Sequence, residues 1–295
     1  LTVTGGLLMV LLLPYLIQFK IGDQTRIVRD ACLSLQFMLG WLVATIAGAG
    51  ALHRELTSGT AALALCKPVS RSRFFLARFL GLALFVTLMT VLFTEVVMII
   101  VRASVTQYLT DGRILIPALA APAVAFGIAA LLNAFRNRPF VSFSFAWMTV
   151  LLTVAFLMAT SLPVNTGFGE SEPRMDWRLV PACALLGLSA LVACGMAFAL
   201  SSRVQPPFAI SIVALLSAMG MIGTVLFGPA DKGGLLSALA ASLLPDFQTF
   251  WIGDRLSIAG GNLLFADLSI AAIYAILYLT AWLCAGLLMF RNAKP

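Results

Sequence analysis

Residues 79–101 read FLGLALFVTLMTVLFTEVVMIIV, a run of 23 residues in which Glu95 carries the only charge. The hydrocarbon core of a bilayer is about 30 Å thick, and a helix needs about 20 residues to cross it. Backbone amides and carbonyls inside that core cannot bond to water, so such a run must satisfy them within a helix. The stretch therefore predicts a membrane-spanning α-helix.

Seven more runs of this kind occur along the chain, and none of them contains a charged side chain. They are Leu1–Phe19, Leu33–Leu52, Ile114–Leu132, Phe140–Ala159, Leu179–Leu200, Phe208–Phe227 and Leu268–Phe290. Charged residues make up only 11% of the chain, whereas they form about 25% of an ordinary soluble domain. The sequence therefore predicts an all-α polytopic membrane protein of about eight membrane helices, with residues 1–295 forming a single transmembrane domain.

The start of the chain gives two further expectations. The first run lacks a basic segment before it and an Ala-x-Ala site after it, which argues against a cleaved signal peptide. The chain begins at Leu1 without a methionine, so we expect that some N-terminal sequence precedes it.

The polar segment between the second and third runs, residues 53–78, has features of a short helix at the membrane surface. A hydroxyl at Thr57 or Ser58 is suited to cap a helix over Gly59–Cys66. Pro68 disfavours helical geometry at the residue before it, and so ends that helix. The segment is predicted to form an elbow that projects from the membrane.

A second helix is predicted in the same segment, over Arg71–Arg78. Ser70 is placed to cap its first turn. Phe74 and Phe75 are expected to lie at the membrane interface while the arginines extend their charged ends into water. On spacing alone, however, an ordinary amphipathic, positively charged loop explains the segment equally well.

The segment resembles the cytosolic coupling loop of ATP-binding-cassette (ABC) permeases of the type-2 exporter class. Residues 53–60 read HRELTSGT, residues 67–71 read KPVSR and residues 74–81 read FFLARFLG. The loop of that class has the pattern Glu-x-x-x-Gly-Thr, a short helix, Lys-Pro-(Val/Ile)-Ser-Arg, an aromatic residue, a basic residue and Leu-Gly. By this resemblance, the residues expected to couple the chain to an ATPase are Glu55, Gly59, Thr60, Lys67, Pro68 and Arg71.

The resemblance extends to two other regions. Residues 243–250 read LLPDFQTF, which is similar to the Leu-Pro-x-(Leu/Phe)-x-x-Phe element before the last helix of this class. Residues 21–35 and the final helix also look similar, so the match covers roughly 20–82 and 240–295. The middle of the chain matches only in being membrane helices.

The resemblance implies a quaternary organisation and a location. It implies a pair of permease subunits, identical or different, bound to two separate ATPase subunits in the bacterial cytoplasmic (inner) membrane. It also implies a six-helix core, to which this chain adds further helices. The expected function is that of the membrane subunit of an ATP-driven ABC exporter. The alternatives from other classes are a secondary transporter and a non-transporting membrane scaffold.

The positive charges predict an orientation. With residues 54–78 in the cytosol, the inner segments hold ten Lys and Arg in 45 residues and the outer segments hold nine in 84. Arginines at helix ends, such as Arg136, Arg138 and Arg291, follow the tendency of cytosolic loops to be positive. The net charge of +7 is therefore interpreted as a signal of topology, with membrane lipid and not nucleic acid as the surroundings.

The outer segment 228–267 is predicted to contain a helix that does not cross the membrane. Leu235–Leu244 is apolar but, as a helix, would be only about 15 Å long. It is expected to be interfacial or re-entrant. Phe247, Phe250 and Trp251 follow at helical spacing and are expected to face the interface.

Two features inside the predicted spans have open roles. Glu95 either lines a substrate path or is structural, pairing with Arg102 seven residues on or with the neighbouring Thr94. Gly40, Ala44 and Gly48 form a stripe of small residues, which serves equally for a dimer seam and for packing within one chain.

Motifs for catalysis and metal binding are missing from this sequence. It contains no Gly-x4-Gly-Lys-(Ser/Thr) motif for ATP, so ATP hydrolysis is expected to reside in a partner subunit. A single histidine and five cysteines without ligand spacing predict no metal site and no cofactor. The cysteines are expected to be packing residues.

Overall fold

The computed structural model describes residues 2–16, 24–59, 70–104, 112–162, 175–227, 244–252 and 265–291. Within these ranges the chain is helical, with no strand. Besides a 3-10 helix, Phe247–Phe250, they form α1 (Thr2–Leu16), α2 (Gln24–Thr57), α3 (Arg71–Ala103), α4 (Gly112–Arg136), α5 (Phe140–Ser161), α6 (Leu179–Leu200), α7 (Pro206–Phe227) and α8 (Phe265–Arg291).

The helices occur at all eight positions predicted from the apolar runs. By length and composition, six of them (α2 to α6 and α8) can cross a membrane. In α1 and α7 the qualifying apolar stretches are shorter, Val3–Leu13 and Pro206–Ile222. The prediction of an all-α, polytopic membrane protein is confirmed.

Two helices extend well beyond their apolar runs. Helix α2 has 34 residues and α3 has 33, so each is about 50 Å long at 1.5 Å per residue. The polar residues 71–78, predicted as a separate helix, are the first turns of α3. The difference arises because no breaker separates Arg78 from the apolar run, so the backbone hydrogen bonds continue.

The chain packs as two compact units. The first unit comprises Leu1–Leu39 and Met89–Cys183, and the second comprises Gly40–Leu88 and Ala184–Pro295. In the first unit, α4 and α5 pack along each other and α1 contacts α4. Helix α5 buries one face, made by Ser144, Met148, Leu152, Ala155 and Ala159. That spacing of three and four residues is expected of a helix that packs on one side.

The core of the second unit is built around large aromatic side chains. A cluster of buried residues joins α2, α3, α6 and α8, and its members are Leu52, Phe75, Phe79, Phe198 and Phe290. Between membrane helices, close van der Waals packing of such side chains holds the helices together. This cluster therefore fixes the ends of four helices against one another.

The stripe of small residues on α2 packs within the chain. Ala44 is fully buried in a cluster with Ala190 and Cys194 of α6. A Cβ atom added to Gly48 would lie 2.6 Å from the carbonyl oxygen of Cys194. Of the two roles left open by the sequence, the structure gives the stripe the close approach of α2 to α6.

The 3-10 helix before the last helix buries two aromatic side chains. Leu235–Leu243 lies outside the described residues, but the 3-10 helix that follows has Asp246 as its N-cap. Phe247 and Phe250 are each only 1% exposed. The expectation that Phe247, Phe250 and Trp251 face the membrane interface is wrong for the two phenylalanines, because both rings turn into the protein and Phe250 meets Tyr274 of α8 at 6.0 Å between centroids. Trp251 is partly exposed.

Candidate coupling site

Three of the six residues expected to couple to an ATPase lie in the described part of the chain. Glu55 is near the end of α2, Gly59 follows that end, and Arg71 opens α3. Thr60, Lys67 and Pro68 lie outside the described residues, as does the short helix predicted over 59–66 apart from Gly59 itself. The structure therefore describes the two ends of the loop and not the residues between them.

Gly59 ends α2 through its backbone conformation. Its φ angle is +72°, in the left-handed region that glycine adopts without steric cost. A residue in that conformation just after the last turn is a common helix terminator. The glycine of the coupling pattern thus has a local structural reason to be glycine.

The hydroxyls of Thr57 and Ser58, predicted to cap the next helix, both contact carbonyls of α2, while the residues they would cap lie outside the described ranges. The Oγ1 of Thr57 donates to the carbonyl of His53 at 3.0 Å. The Oγ of Ser58 lies 3.5 Å from the carbonyl oxygen of Glu55. Both hydroxyls therefore lie against carbonyls near the C-terminal end of α2.

The predicted cap at the start of α3 is confirmed. The Oγ of Ser70 accepts a hydrogen bond from the backbone N–H of Arg73 at 3.4 Å, and its carbonyl accepts from the N–H of Phe74 at 3.1 Å. This is the arrangement of an N-cap residue. Ser70 therefore sets where the chain turns into α3.

An ion pair joins the two ends of the loop. An oxygen of Glu55 lies 2.7 Å from a guanidinium nitrogen of Arg78, and the two side chains are 19% and 53% exposed. Arg78 also lies over the ring of Phe74, 5.6 Å from its centroid. A partly exposed pair of this kind contributes about 0–1 kcal/mol, so its main effect is to hold α2 and α3 in register.

Two arginines bind the C-terminal end of α8. A guanidinium nitrogen of Arg71 donates to the carbonyl of Arg291 at 3.0 Å. Arg203, in the turn between α6 and α7, donates from Nε to the carbonyl of Met289 at 3.2 Å. Cations near a helix C-terminus satisfy its last carbonyls and interact favourably with its dipole.

Aromatic packing reinforces the same contact. Phe75 is fully buried, with its ring 4.8 Å from that of Phe198 and 5.8 Å from that of Phe290. Phe74 stacks on Phe290 at 6.2 Å. The expectation that both phenylalanines lie at the interface is wrong for Phe75, since α8 and α6 cover it.

Gly286 allows the last turns of α8 to approach this closely. A Cβ atom at that position would lie 2.8 Å from the Cα of Ala199 and 3.0 Å from the ring of Phe75. Sequence reasoning missed Gly286 and Arg203, because a lone glycine in a span and a lone arginine in a turn carry no local signal. Arg78 was present in the pattern as its basic residue, but its partner was not predicted.

Glu95 is the one charged side chain among the predicted spans, and it lies in the first unit. It is 8% exposed, and one of its oxygens accepts a hydrogen bond from the hydroxyl of Thr153 on α5 at 3.0 Å. Its other oxygen has no hydrogen-bond partner among the described residues. Thr94, one of the suggested partners, donates to the carbonyl of Thr90 at 2.8 Å.

The suggested pairing of Glu95 with Arg102 is wrong. The guanidinium of Arg102 donates to the carbonyl of Leu162, the residue that caps the C-terminus of α5. A separation of seven residues places both side chains on one face of α3, but about 10 Å apart along the axis. The nearby helix end is therefore a better partner for the guanidinium.

The described residues contain no group of three or more His, Cys, Asp or Glu side chains able to hold a metal ion. Cys32, Cys183 and Cys194 are buried, as expected of packing residues, whereas Cys284 on α8 is exposed. Cys66 lies outside the described ranges.

Comparison with known proteins identifies the family. No curated protein and no solved structure matches the chain. The family model described as "ABC-2 family transporter protein" matches residues 6–231, which include the candidate coupling segment and the middle helices. The element at 243–250 lies beyond the matched residues. The chain belongs to the ABC-2 transporter family, as a multi-pass membrane permease component of an ABC transporter.

Proposed function

We propose that this chain is the membrane subunit of an ATP-driven exporter in the bacterial cytoplasmic membrane. Two ATPase subunits act on residues 54–78 of a pair of permease subunits. The observation that carries the proposal is that both described ends of this segment are tied to membrane helices. Glu55 binds Arg78 at 2.7 Å, and Arg71 binds the last carbonyl of α8 at 3.0 Å.

Coupling requires that movement of the segment alters the helices. Helices α2 and α3 continue without a break from the segment into the apolar spans. A rigid helix passes a displacement at one end to the other, whereas a flexible linker would absorb it. Closure of the ATPases then favours one arrangement of the helices over another, which is the differential interaction that a driven transition needs.

The six proposed coupling residues have three different roles, which depend on where each lies in the segment. Glu55 acts through its ion pair with Arg78, and Arg71 acts through its hydrogen bond to the carbonyl of Arg291. Gly59 ends α2 with its positive φ angle and so directs the loop. Thr60, Lys67 and Pro68 are proposed as the part that touches the ATPase, on the resemblance alone.

Glu95 remains a candidate residue of the substrate path. Its support is a buried carboxylate for which Thr153 is the one hydrogen-bond partner in the described part of the chain. Buried ionisable groups in membrane spans are costly, by about 2.5–3.5 kcal/mol at the centre of a helix, and often serve function. A secondary transporter would also use such a group, but it would not need contacts that tie both ends of residues 54–78 to membrane helices.

To test the proposal, the chain is purified together with its ATPase and the complex is reconstituted in liposomes. The ATPase activity of this complex is then measured. Glu55→Ala and Arg71→Ala are expected to lower the stimulation of the ATPase by the permease, while both proteins insert and assemble normally. Arg178→Ala is the matched control, because Arg178 is an exposed arginine of the first unit. No co-purifying ATPase, or full stimulation in both variants, would refute the proposal.

A further inference from the structure

Helix α8 packs along its length with one face, and two arginines bind its C-terminal end. Of the six candidate spans, it is the one whose apolar window is least buried, at 17%. Ile270, Ile273, Ile276 and Leu277 are each more than half exposed. Its other face is buried from Ala271 and Ala275 to Gly286 and Phe290.

The contacts at this end come from two other elements. From the start of α3 come the guanidinium of Arg71, on the carbonyl of Arg291, and the buried ring of Phe75. From the end of α6 and the turn after it come Ala199, against Gly286, and Arg203, on the carbonyl of Met289. All of these residues belong to the second unit.

The turn that carries Arg203 is itself firmly bonded. The backbone N–H groups of Arg203 and Val204 both donate to the carbonyl of Leu200 at 3.0 Å. The hydroxyls of Ser201 and Ser202 donate to carbonyls one turn back in α6. Arg203 is therefore presented to α8 from a fixed position.

We infer that α8 is the helix that the coupling segment moves, and that Arg71 and Arg203 are the positioning residues that make this transmission possible. This rests on the proposed function and adds the output of the coupling segment to it. Because Arg71 and Phe75 at the start of α3 contact the last turns of α8, a displacement of the coupling segment is passed to α8. Arg71 thus acts through the carbonyl of Arg291, and Arg203 holds the same helix end against α6.

The geometry of α3 separates this role from a general attraction of positive charge. Arg71 lies on the face of α3 that also carries Phe75 and Phe79, both buried. Arg73, two residues on and so about 200° around the helix, heads the opposite face, where Leu80 and Leu84 are 66% and 71% exposed. On the packed face, Arg71 reaches the end of α8, whereas Arg78, seven residues on, binds Glu55 of α2.

The experiment reports the movement of α8 directly. Leu288, 62% exposed near the end of α8, is replaced by cysteine in an otherwise cysteine-free chain and labelled with monobromobimane. The complex with its co-purifying ATPase is then given ATP and vanadate. We expect a nucleotide-dependent shift in the emission of the label in the parent protein, and loss of at least half of that shift in Arg203→Ala and in Arg71→Ala.

Two variants separate a positioning role from loss of fold. Arg203→Lys keeps a cation near the carbonyl of Met289 and is expected to restore most of the shift. Arg136→Ala, an exposed arginine at the end of α4 in the first unit, is expected to leave the shift intact. In Arg203→Ala, hydrogen exchange at residues 286–291 should rise about two- to fivefold, as expected for loss of a cation at a helix end.

The possible failures are distinguishable. A parent complex without ATPase stimulation would count against the proposed function itself. A parent complex with normal ATPase stimulation, but no shift at position 288, would overturn the assignment of α8. A full shift in Arg203→Ala and Arg71→Ala would overturn the positioning role of the two arginines.

Discussion

The hydroxyl of Thr153 donates to the carboxylate of Glu95 at 3.0 Å, joining α5 to α3 inside the first unit. The carboxylate is 8% exposed, and its second oxygen has no partner among the described residues. A buried carboxyl with one neutral donor is more weakly satisfied than one with a cation. The pair therefore links two helices without an ion pair.

The first prediction concerns this pair. Glu95→Gln retains an acceptor for Thr153 and is expected to leave the fold and most of the ATPase stimulation intact. In thermal unfolding in detergent, a double-mutant cycle of Glu95→Ala and Thr153→Val, each of which removes the hydrogen bond, should give a coupling of about 0.5–1.5 kcal/mol, typical of one hydrogen bond.

Arg102→Ala is the control for the same pair. Because its guanidinium binds Leu162 and not Glu95, its effect on stability should add to that of Glu95→Gln without coupling. A coupling of more than about 0.5 kcal/mol between these two sites would show that they interact. A Glu95→Gln protein that folds normally but no longer supports transport would instead assign Glu95 to the substrate path.

The second prediction concerns the approach of α2 to α6. Gly48→Ala places a Cβ atom 2.6 Å from the carbonyl oxygen of Cys194, so the two backbones must separate. Overpacking of this kind costs about 1–3 kcal/mol, more than the roughly 1 kcal/mol that alanine gains over glycine in a helix. The unfolding temperature in detergent should fall.

Gly81→Ala is the matched control for that substitution. Gly81 lies in α3 in the same unit, and a Cβ atom there meets nothing within 4 Å. Its unfolding temperature should stay the same or rise. If Gly48→Ala were as stable as Gly81→Ala, the close packing of α2 on α6 would be wrong.

The sequence predicted the positions of the helices better than the contacts between them. Apolar runs such as 79–101 locate the spans because the bilayer imposes their length, and Ser70 was identified as a cap because capping is local. Phe75 was placed at the interface because the local pattern does not show which of two adjacent aromatic residues faces another helix. Arg102 was paired with Glu95 by spacing, but the end of α5 provided a partner that spacing on one helix cannot reveal.

The third prediction concerns the segment before α8. A Cβ atom at Gly220 of α7 would clash with the carbonyl oxygen of Pro245. A second contact joins the same two elements: the side-chain amide of Gln248 donates to the carbonyl of Met221 at 2.7 Å. Gly220→Ala should therefore displace this segment from α7.

Limited proteolysis and thermal unfolding measure that displacement. Gly220→Ala should be cleaved faster near residues 244–252 and should unfold at a lower temperature. Gly127→Ala, in α4 with no atom within 4 Å of the added Cβ, should show neither change. Equal behaviour of the two variants would mean that Pro245 does not pack on α7.

The fourth prediction concerns topology. Because arginines are dense at the ends of α4 and α8 and in residues 54–78, the tendency of cytosolic loops to be positive places these on the inner side. In a cysteine-free background, Ser58→Cys should react with an impermeant maleimide only from the cytosolic side, and Ser257→Cys only from the outer side. Labelling of both from one side would exclude this arrangement.

The last prediction concerns Gly59 and separates its backbone role from a contact role. At a φ angle of +72°, an alanine costs about 1–2 kcal/mol, whereas asparagine tolerates this region better. A Cβ atom at Gly59 meets nothing within 4 Å among the described residues, so any loss is expected from backbone strain and not from a clash with them. Gly59→Ala is therefore expected to lower ATPase stimulation in the reconstituted complex, with Gly59→Asn closer to the parent, because strain at this position redirects the loop away from its partner. If asparagine were as harmful as alanine, or more so, the site would be limited by contact with the ATPase surface, and the backbone explanation for this glycine would be wrong.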